Sequence, residues 1–179
     1  MREYINTFEN FNNNRIVIEV IKQDDNDGCI DVLYSNFKDL VSSKEELHNK
    51  IKPRLNNGLS ICLKNEGQVV GVYLLNQNSI NNFIESVKRN EVYDFPYNET
   101  IITLDEDLSD NGLQGIALSV LPEYRGAGYG NMLKNYTYNL GYDYIWGVQD
   151  KKLENIEQWK RTRKIFAESP TRYATYLKF

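Results

Sequence analysis

Residues 118–130 read Leu-Ser-Val-Leu-Pro-Glu-Tyr-Arg-Gly-Ala-Gly-Tyr-Gly, and no other segment restricts the fold as strongly. Leu113 to Leu121 is apolar enough to form a strand, and Pro122 stops it because proline cannot donate to a ladder. Gly126, Gly128 and Gly130 then open a helix carrying Met132, Leu133, Tyr136 and Leu140 on one face, which Gly141 closes. A strand that passes through a glycine-rich turn into a helix builds an anion site. The first N–H groups of the helix have no intrahelical partner, and the helix dipole adds positive potential there. Glycines let the backbone approach a phosphate without Cβ interference. Arg125 adds a permanent charge beside the cradle.

Two common phosphate-binding loops are excluded by spacing. A P-loop needs G-x-x-x-x-G-K-[ST], and no Lys-Ser or Lys-Thr follows these glycines. A dinucleotide fingerprint needs G-x-G-x-x-G after a first strand, whereas this turn is G-x-G-x-G and lies late in the chain.

The rest of the chain predicts a mixed α/β domain. Residues 15–21 read as a first strand. Asp27 is placed to cap a helix over about 28–40, and Ser42 or Ser43 to start a second that ends near Asn57-Gly58 in spite of Pro53. Strands at 59–64 and 68–76 join across Asn65-Glu66-Gly67, a hairpin spacing. Ile80, Phe83, Ile84 and Val87 fit one face of a short helix. Tyr142 to Val148 predicts a strand, 152–166 a basic amphipathic helix with Leu153, Ile156, Trp159 and Phe166, and 172–179 a final strand. About six or seven strands result, with one after the last helix.

The charge balance, 25 acids against 21 bases, gives no general attraction to nucleic acid. No run of about 18 apolar residues predicts a membrane span, and the first residues have no signal-like apolar core, so the chain reads as cytoplasmic. Cys29 and Cys62 read as two buried thiols rather than a disulfide. His48 is the single histidine, which argues against a Ser-His-Asp triad or a zinc site, and no metal is expected.

The L-x-V-x-P stretch (Leu118, Val120, Pro122) with the turn from Arg125 to Gly130 resembles the R/Q-x-x-G-x-G/A cofactor signature of the GNAT superfamily of N-acetyltransferases. The order of elements over 15–179 is similar to theirs. The resemblance implies one GNAT-like domain over 1–179 with an insert at 80–112. It further implies a central, mostly antiparallel sheet with splayed strands and flanking helices. It implies acetyl-CoA as cofactor. The pyrophosphate would lie on Arg125, Gly126, Ala127, Gly128, Tyr129 and Gly130, and the pantetheine arm along Leu118, Ser119 and Val120. The thioester would lie where the strands 113–121 and 142–148 part. Bulky Ile116, Leu118, Ile145 and Trp146 there favour a short acetyl group. The implied reaction moves acetyl to a primary amine, and the backbone N–H near Val120 would steady the oxyanion.

The catalytic residues of the family do not carry over. Asn155 matches an Asn of the last helix, but Thr162 stands seven residues on, where many members have a proton-donating Tyr. Gln114 stands eleven residues before Arg125, where some members have a Glu base. Asp105 or Glu106 is the remaining carboxylate choice for a base acting through water. From residue 90 to 124 there are eight acids and no Lys or Arg, which favours a cationic small-molecule or peptide amine if the stretch faces the acceptor. Lys151, Lys152, Lys160, Arg161, Arg163 and Lys164 read as a solvated helix face, partly balanced by Glu154 and Glu157 with Trp159 packed inward, or as a patch for the 3′-phosphate. A monomer or a homodimer through an exposed final strand is expected. The competing function is a catalytically weak module that binds acyl-CoA or a partner.

Overall fold

The computed structural model describes residues 16–152 and 162–179. The chain forms two compact units, Met1–Asn76 with Ala117–Leu140, and Gln77–Ile116 with Gly141–Phe179. Among the described residues eight strands, β1 (Ile16–Val20), β2 (Ile61–Asn65), β3 (Gln68–Gln77), β4 (Ile101–Ile102), β5 (Gly112–Val120), β6 (Tyr144–Asp150), β7 (Lys164–Glu168) and β8 (Arg172–Lys178), follow the hydrogen-bonded order β1-β2-β3-β5-β6-β8-β7-β4, with the ends of β5 belonging to different units. The fold class is mixed α/β, as the sequence predicts.

In the first unit β1 (Ile16–Val20) pairs antiparallel with β2 (Ile61–Asn65), and β2 with β3 (Gln68–Gln77). Glu66 and Gly67 make the hairpin turn with φ of 51° and 84°, the two left-handed residues that a tight twisted hairpin requires. Helix α1 (Asn26–Phe37) begins two residues earlier than Asp27 would set it. Its N-cap position is Asp25, whose carboxylate instead accepts from the Lys22 N–H at 3.1 Å and closes the preceding 3-10 turn. For α2 (Lys44–Leu55) Ser43 is the cap, its hydroxyl accepting from the Glu46 N–H. Pro53 lies inside α2. An aliphatic core joins these parts: Ile30, Val32, Leu33, Leu47, Leu55, Val72 and Leu74. Cys29 and Cys62 are both free and buried in it.

In the second unit the opening part of β5 (Gly112–Val120) runs parallel to β6 (Tyr144–Asp150), with Gly112–Gln114 in register with Tyr144–Trp146. The pairs of β6 with the strand Arg172–Lys178, of that strand with Lys164–Glu168, and of Lys164–Glu168 with Ile101–Ile102 are antiparallel. Helix α3 (Ile80–Lys88) is capped by Ser79 and sinks Ile80, Phe83, Ile84 and Val87 into an aromatic core. There Phe83 meets Phe95 at 5.2 Å, Trp146 at 5.0 Å and Phe166 at 5.7 Å between ring centroids, edge-on or tilted.

Three expectations need correcting. Two strands, not one, close the chain: β7 (Lys164–Glu168) and β8 (Arg172–Lys178). Phe166 belongs to β7, so its burial is that of a strand residue and not of a helix face. The final strand is no edge either, because β8 pairs with β6 on one side and β7 on the other. The outermost strands are β1 and β4 (Ile101–Ile102), so a homodimer built on an exposed β8 loses its basis. The 90–124 stretch contains the expected strand as β5 and, beyond the expectation, the short β4. Asn155, Trp159, Lys160 and Arg161 lie outside the described residues, and with them most of the basic helix.

Candidate functional site

The site is assembled where β5 ends. Leu121 donates its N–H to Val70 O, which keeps the strand paired to its last residue. Pro122–Tyr124 then makes one 3-10 turn, closed by Tyr124 N–H to Leu121 O and Arg125 N–H to Pro122 O. Gly126 and Gly128 both adopt φ of 82°, a left-handed conformation that a side chain resists. Helix α4 (Tyr129–Tyr136) starts on Gly128, whose carbonyl accepts from Asn131 and Met132. Among the described residues the N–H groups of Gly126, Ala127, Gly128, Tyr129 and Gly130 have no backbone acceptor.

All of these residues but Ala127 line a concavity of 360 Å³, together with Val120, Tyr124, Arg125 and Asn131. A Cβ on Gly126 or Gly128 would meet nothing within 4 Å, so the two glycines are required by backbone conformation, and the space above them is open. Gly130 is different: its φ is not left-handed, and an added Cβ would reach only Leu118 Cδ2 at 3.8 Å. The rings of Tyr124 and Tyr129 lie nearly parallel, centroids 6.1 Å apart. Arg125 is exposed, and among the described residues its guanidinium donates to Asn36 alone.

Of the residues singled out in the sequence, Val120, Arg125, Gly126, Gly128, Tyr129 and Gly130 come together on the concavity. Leu118 packs behind it, facing the first turn of α4. The Ser119 side chain turns away: it is 3% exposed, donates to Val32 O at 3.1 Å and accepts from Asn36. Ala127 is exposed at the tip of the turn. Tyr124 and Asn131 join the lining without having been picked out. Tyr124 could have been found as the neighbour of the signature arginine, whereas nothing in the sequence marks Asn36.

The candidate catalytic positions fare differently. Gln114 accepts from Asn78 Nδ2 at 3.3 Å. Trp146, which was to line the gap between strands, is fully buried and donates its indole N–H to Asn78 O at 2.7 Å. Ile145 is also buried, while Ile116 is 36% exposed. Glu106 takes hydrogen bonds or ion pairs from Lys178, Tyr176 and Lys164. Those three donors hold its carboxyl down at about 2, so it is a poor base near neutrality. Asp105 is exposed and Thr162 is exposed. Lys164, counted with the basic helix, stands on β7 and pairs with Glu106 at 2.9 Å, and Lys151 pairs with Glu168 at 2.5 Å.

No family model matches the chain, and no curated protein sequence does. Solved structures do. A GNAT-family acetyltransferase from Bacillus cereus matches with a TM-score of 0.61 at 13% identity, over 91% of this chain and 96% of that one. The PaiA N-acetyltransferase from Thermoplasma acidophilum, solved with coenzyme A, gives 0.58 at 14% identity, over 92% and 99%. A GNAT-family acetyltransferase from Brucella melitensis, solved with acetyl-CoA, gives 0.54 at 16% identity, over 92% and 88%. At these identities the likeness is one of architecture: this chain has the GNAT fold.

Proposed function

We propose that the protein is an acetyl-CoA-dependent N-acetyltransferase acting on a primary amine of a small molecule or peptide. The observation that carries this reading is the turn itself. Four residues whose N–H groups lack a backbone acceptor (Gly126, Gly128, Tyr129 and Gly130), a helix N-terminus and Arg125 line one open concavity. A diphosphate matches that donor set, and structural neighbours have been solved with coenzyme A and acetyl-CoA. The sequence positions of Leu118, Ser119 and Val120 support a pantetheine arm along the last residues of β5. Positioning does most of the catalytic work in this reading, since orienting an amine against a thioester lowers the barrier by roughly 7–11 kcal/mol in favourable cases.

The amine is inferred to be cationic. Of the acids between residues 90 and 112, Glu91 pairs with Arg89, Asp94 with Arg172, and Glu106 with Lys164 and Lys178. Glu99, Asp105 and Asp107 have no ion pair among the described residues and leave that stretch a net negative field. Comparing rates on cationic and neutral amines tests this, and a preference for neutral acceptors sinks it.

A second reading, a catalytically weak acyl-CoA-binding module, is favoured by one observation: two of the candidate catalytic positions are committed elsewhere. Gln114 is bonded to Asn78, and Glu106 is neutralised.

A thermal-shift titration with acetyl-CoA and CoA tests the binding step, using wild type and Gly130→Glu. Gly130 accepts a side chain without backbone strain, and a carboxylate in the first turn of a helix is favourable. The variant therefore folds, yet it sets a negative charge against the diphosphate. A concentration-dependent rise in Tm for wild type that disappears in Gly130→Glu supports the assignment. No rise in wild type overturns it. Acceptor-dependent release of CoA thiol then separates the enzyme from the binding module.

A further inference from the structure

Asn36 lies near the end of α1, 89 positions before Arg125. Its amide has a fixed sense. The Nδ2 end faces oxygen atoms only: Val32 O at 3.0 Å, Val120 O at 3.3 Å, Ser35 Oγ at 3.0 Å and Ser119 Oγ. The Oδ1 end faces the Arg125 Nη2 donor. Turning the amide over would set its oxygen against two carbonyls and its NH₂ against a guanidinium, so the network permits one orientation. Through it one side chain ties α1, the last residue of β5 and the arginine of the turn together.

We infer that Asn36 is a positioning residue that holds Arg125 for the cofactor's phosphates without spending its charge; this rests on the coenzyme A reading of the turn. A guanidinium has five N–H donors, and a single neutral acceptor leaves the rest for an anion. An Asp at position 36 would hold the arginine equally well in space but neutralise it. It would also lose the NH₂ that serves Val120 O and Ser119 Oγ. An aliphatic residue would let the long side chain wander, restoring the rotamer entropy that binding must then remove. Only an amide of this length both donates to β5 and accepts from the arginine.

The test is titration calorimetry with CoA, inorganic pyrophosphate and the phosphate-free thioester S-acetylpantetheine. The proteins are wild type, Asn36→Ala, the isosteric Asn36→Asp, Arg125→Ala and the double variant Asn36→Ala/Arg125→Ala. Affinity for CoA is expected to fall about tenfold in Asn36→Asp, in keeping with the loss of one charge-assisted contact, and severalfold in Asn36→Ala. Affinity for S-acetylpantetheine should stay as in wild type. In the Arg125→Ala background the Asn36→Ala effect on CoA should vanish, the signature of a residue acting through another.

Equal losses on CoA and S-acetylpantetheine would mean that Asn36 merely supports the strand, and would overturn the inference. So would an undiminished Asn36 effect without Arg125. Wild type that binds pyrophosphate but not CoA would overturn the coenzyme A reading alone, and the same cycle is then read on pyrophosphate. Wild type that binds neither overturns both.

Discussion

The turn at the end of β5 and the polar groups of the second unit are opposites. At the turn, donors are left over: N–H groups without backbone acceptors and a guanidinium with one neutral partner. In the second unit the groups with chemical potential are committed. The Tyr144 hydroxyl accepts from Ile80 N–H and donates to Ser109 O, each at 3.0 Å. The Trp146 indole, Gln114 and Glu106 are held as firmly. Burial and pairing build a stable core, but a group engaged in that way is not available to a substrate. Under the proposed function, the contrast makes the protein first a binder of an anionic cofactor, with chemistry that relies on placement.

The largest expected effect tests whether the second unit's groups are structural. Trp146→Ala removes a fully buried indole at the centre of the aromatic cluster and should cost about 3–5 kcal/mol, read by denaturant unfolding. Tyr144→Phe keeps the ring and deletes the hydroxyl, leaving the Ile80 N–H and Ser109 O without it; a loss of about 1–3 kcal/mol is expected. Its kcat per folded molecule should not change. A collapse of kcat at unaltered stability would instead make Tyr144 the missing acid and break the contrast.

A smaller effect concerns Glu106. Lys178 first, then Tyr176 and Lys164, depress its carboxyl from 4.5 to about 2. A depressed carboxylate stabilises the fold above its unfolded value, and that contribution is lost as pH falls. Wild type should therefore lose stability as pH drops from 4.5 towards 2, where Glu106 finally takes up its proton. In Glu106→Gln that part of the Tm-against-pH curve should be flatter, while activity at neutral pH persists. Loss of the acidic limb of a pH–rate profile in this variant would show that Glu106 is a base after all.

The smallest effects sharpen the picture of the turn. Gly128→Ala puts a side chain at φ of 82° and should cost about 1 kcal/mol. Gly130→Ala meets only Leu118 at 3.8 Å and should gain roughly 0.5–1 kcal/mol through helix propensity and a stiffer unfolded chain. Opposite signs in paired melting curves would establish that the first glycine serves the backbone and the second serves access. Equal signs would remove that distinction.

Local signals in the sequence were dependable where a few neighbouring residues suffice. Glu66-Gly67 required a tight hairpin, Ser43 and Ser79 capped helices through their own hydroxyls, and apolar spacing gave α3 its buried face. The strand, proline and glycines of 113–130 likewise specified the anion turn, since conformational freedom and orphan N–H groups are properties of the segment itself. Boundaries failed where a long-range partner decides. Phe166 follows the helical spacing of 152–166, yet it lies in β7 because β7 finds a partner in β8.

The sequence by itself determined the alternation of elements and the backbone geometry of the glycine turn, through spacing and backbone stereochemistry. Only the tertiary structure decided which side chains remain usable. Whether Ser119 faces a ligand or α1, whether Glu106 is a base or an ion-pair partner, and whether Arg125 is held by Asn36 depends on residues 58 to 89 positions away in the chain. Such pairings follow from packing, and no local pattern encodes them.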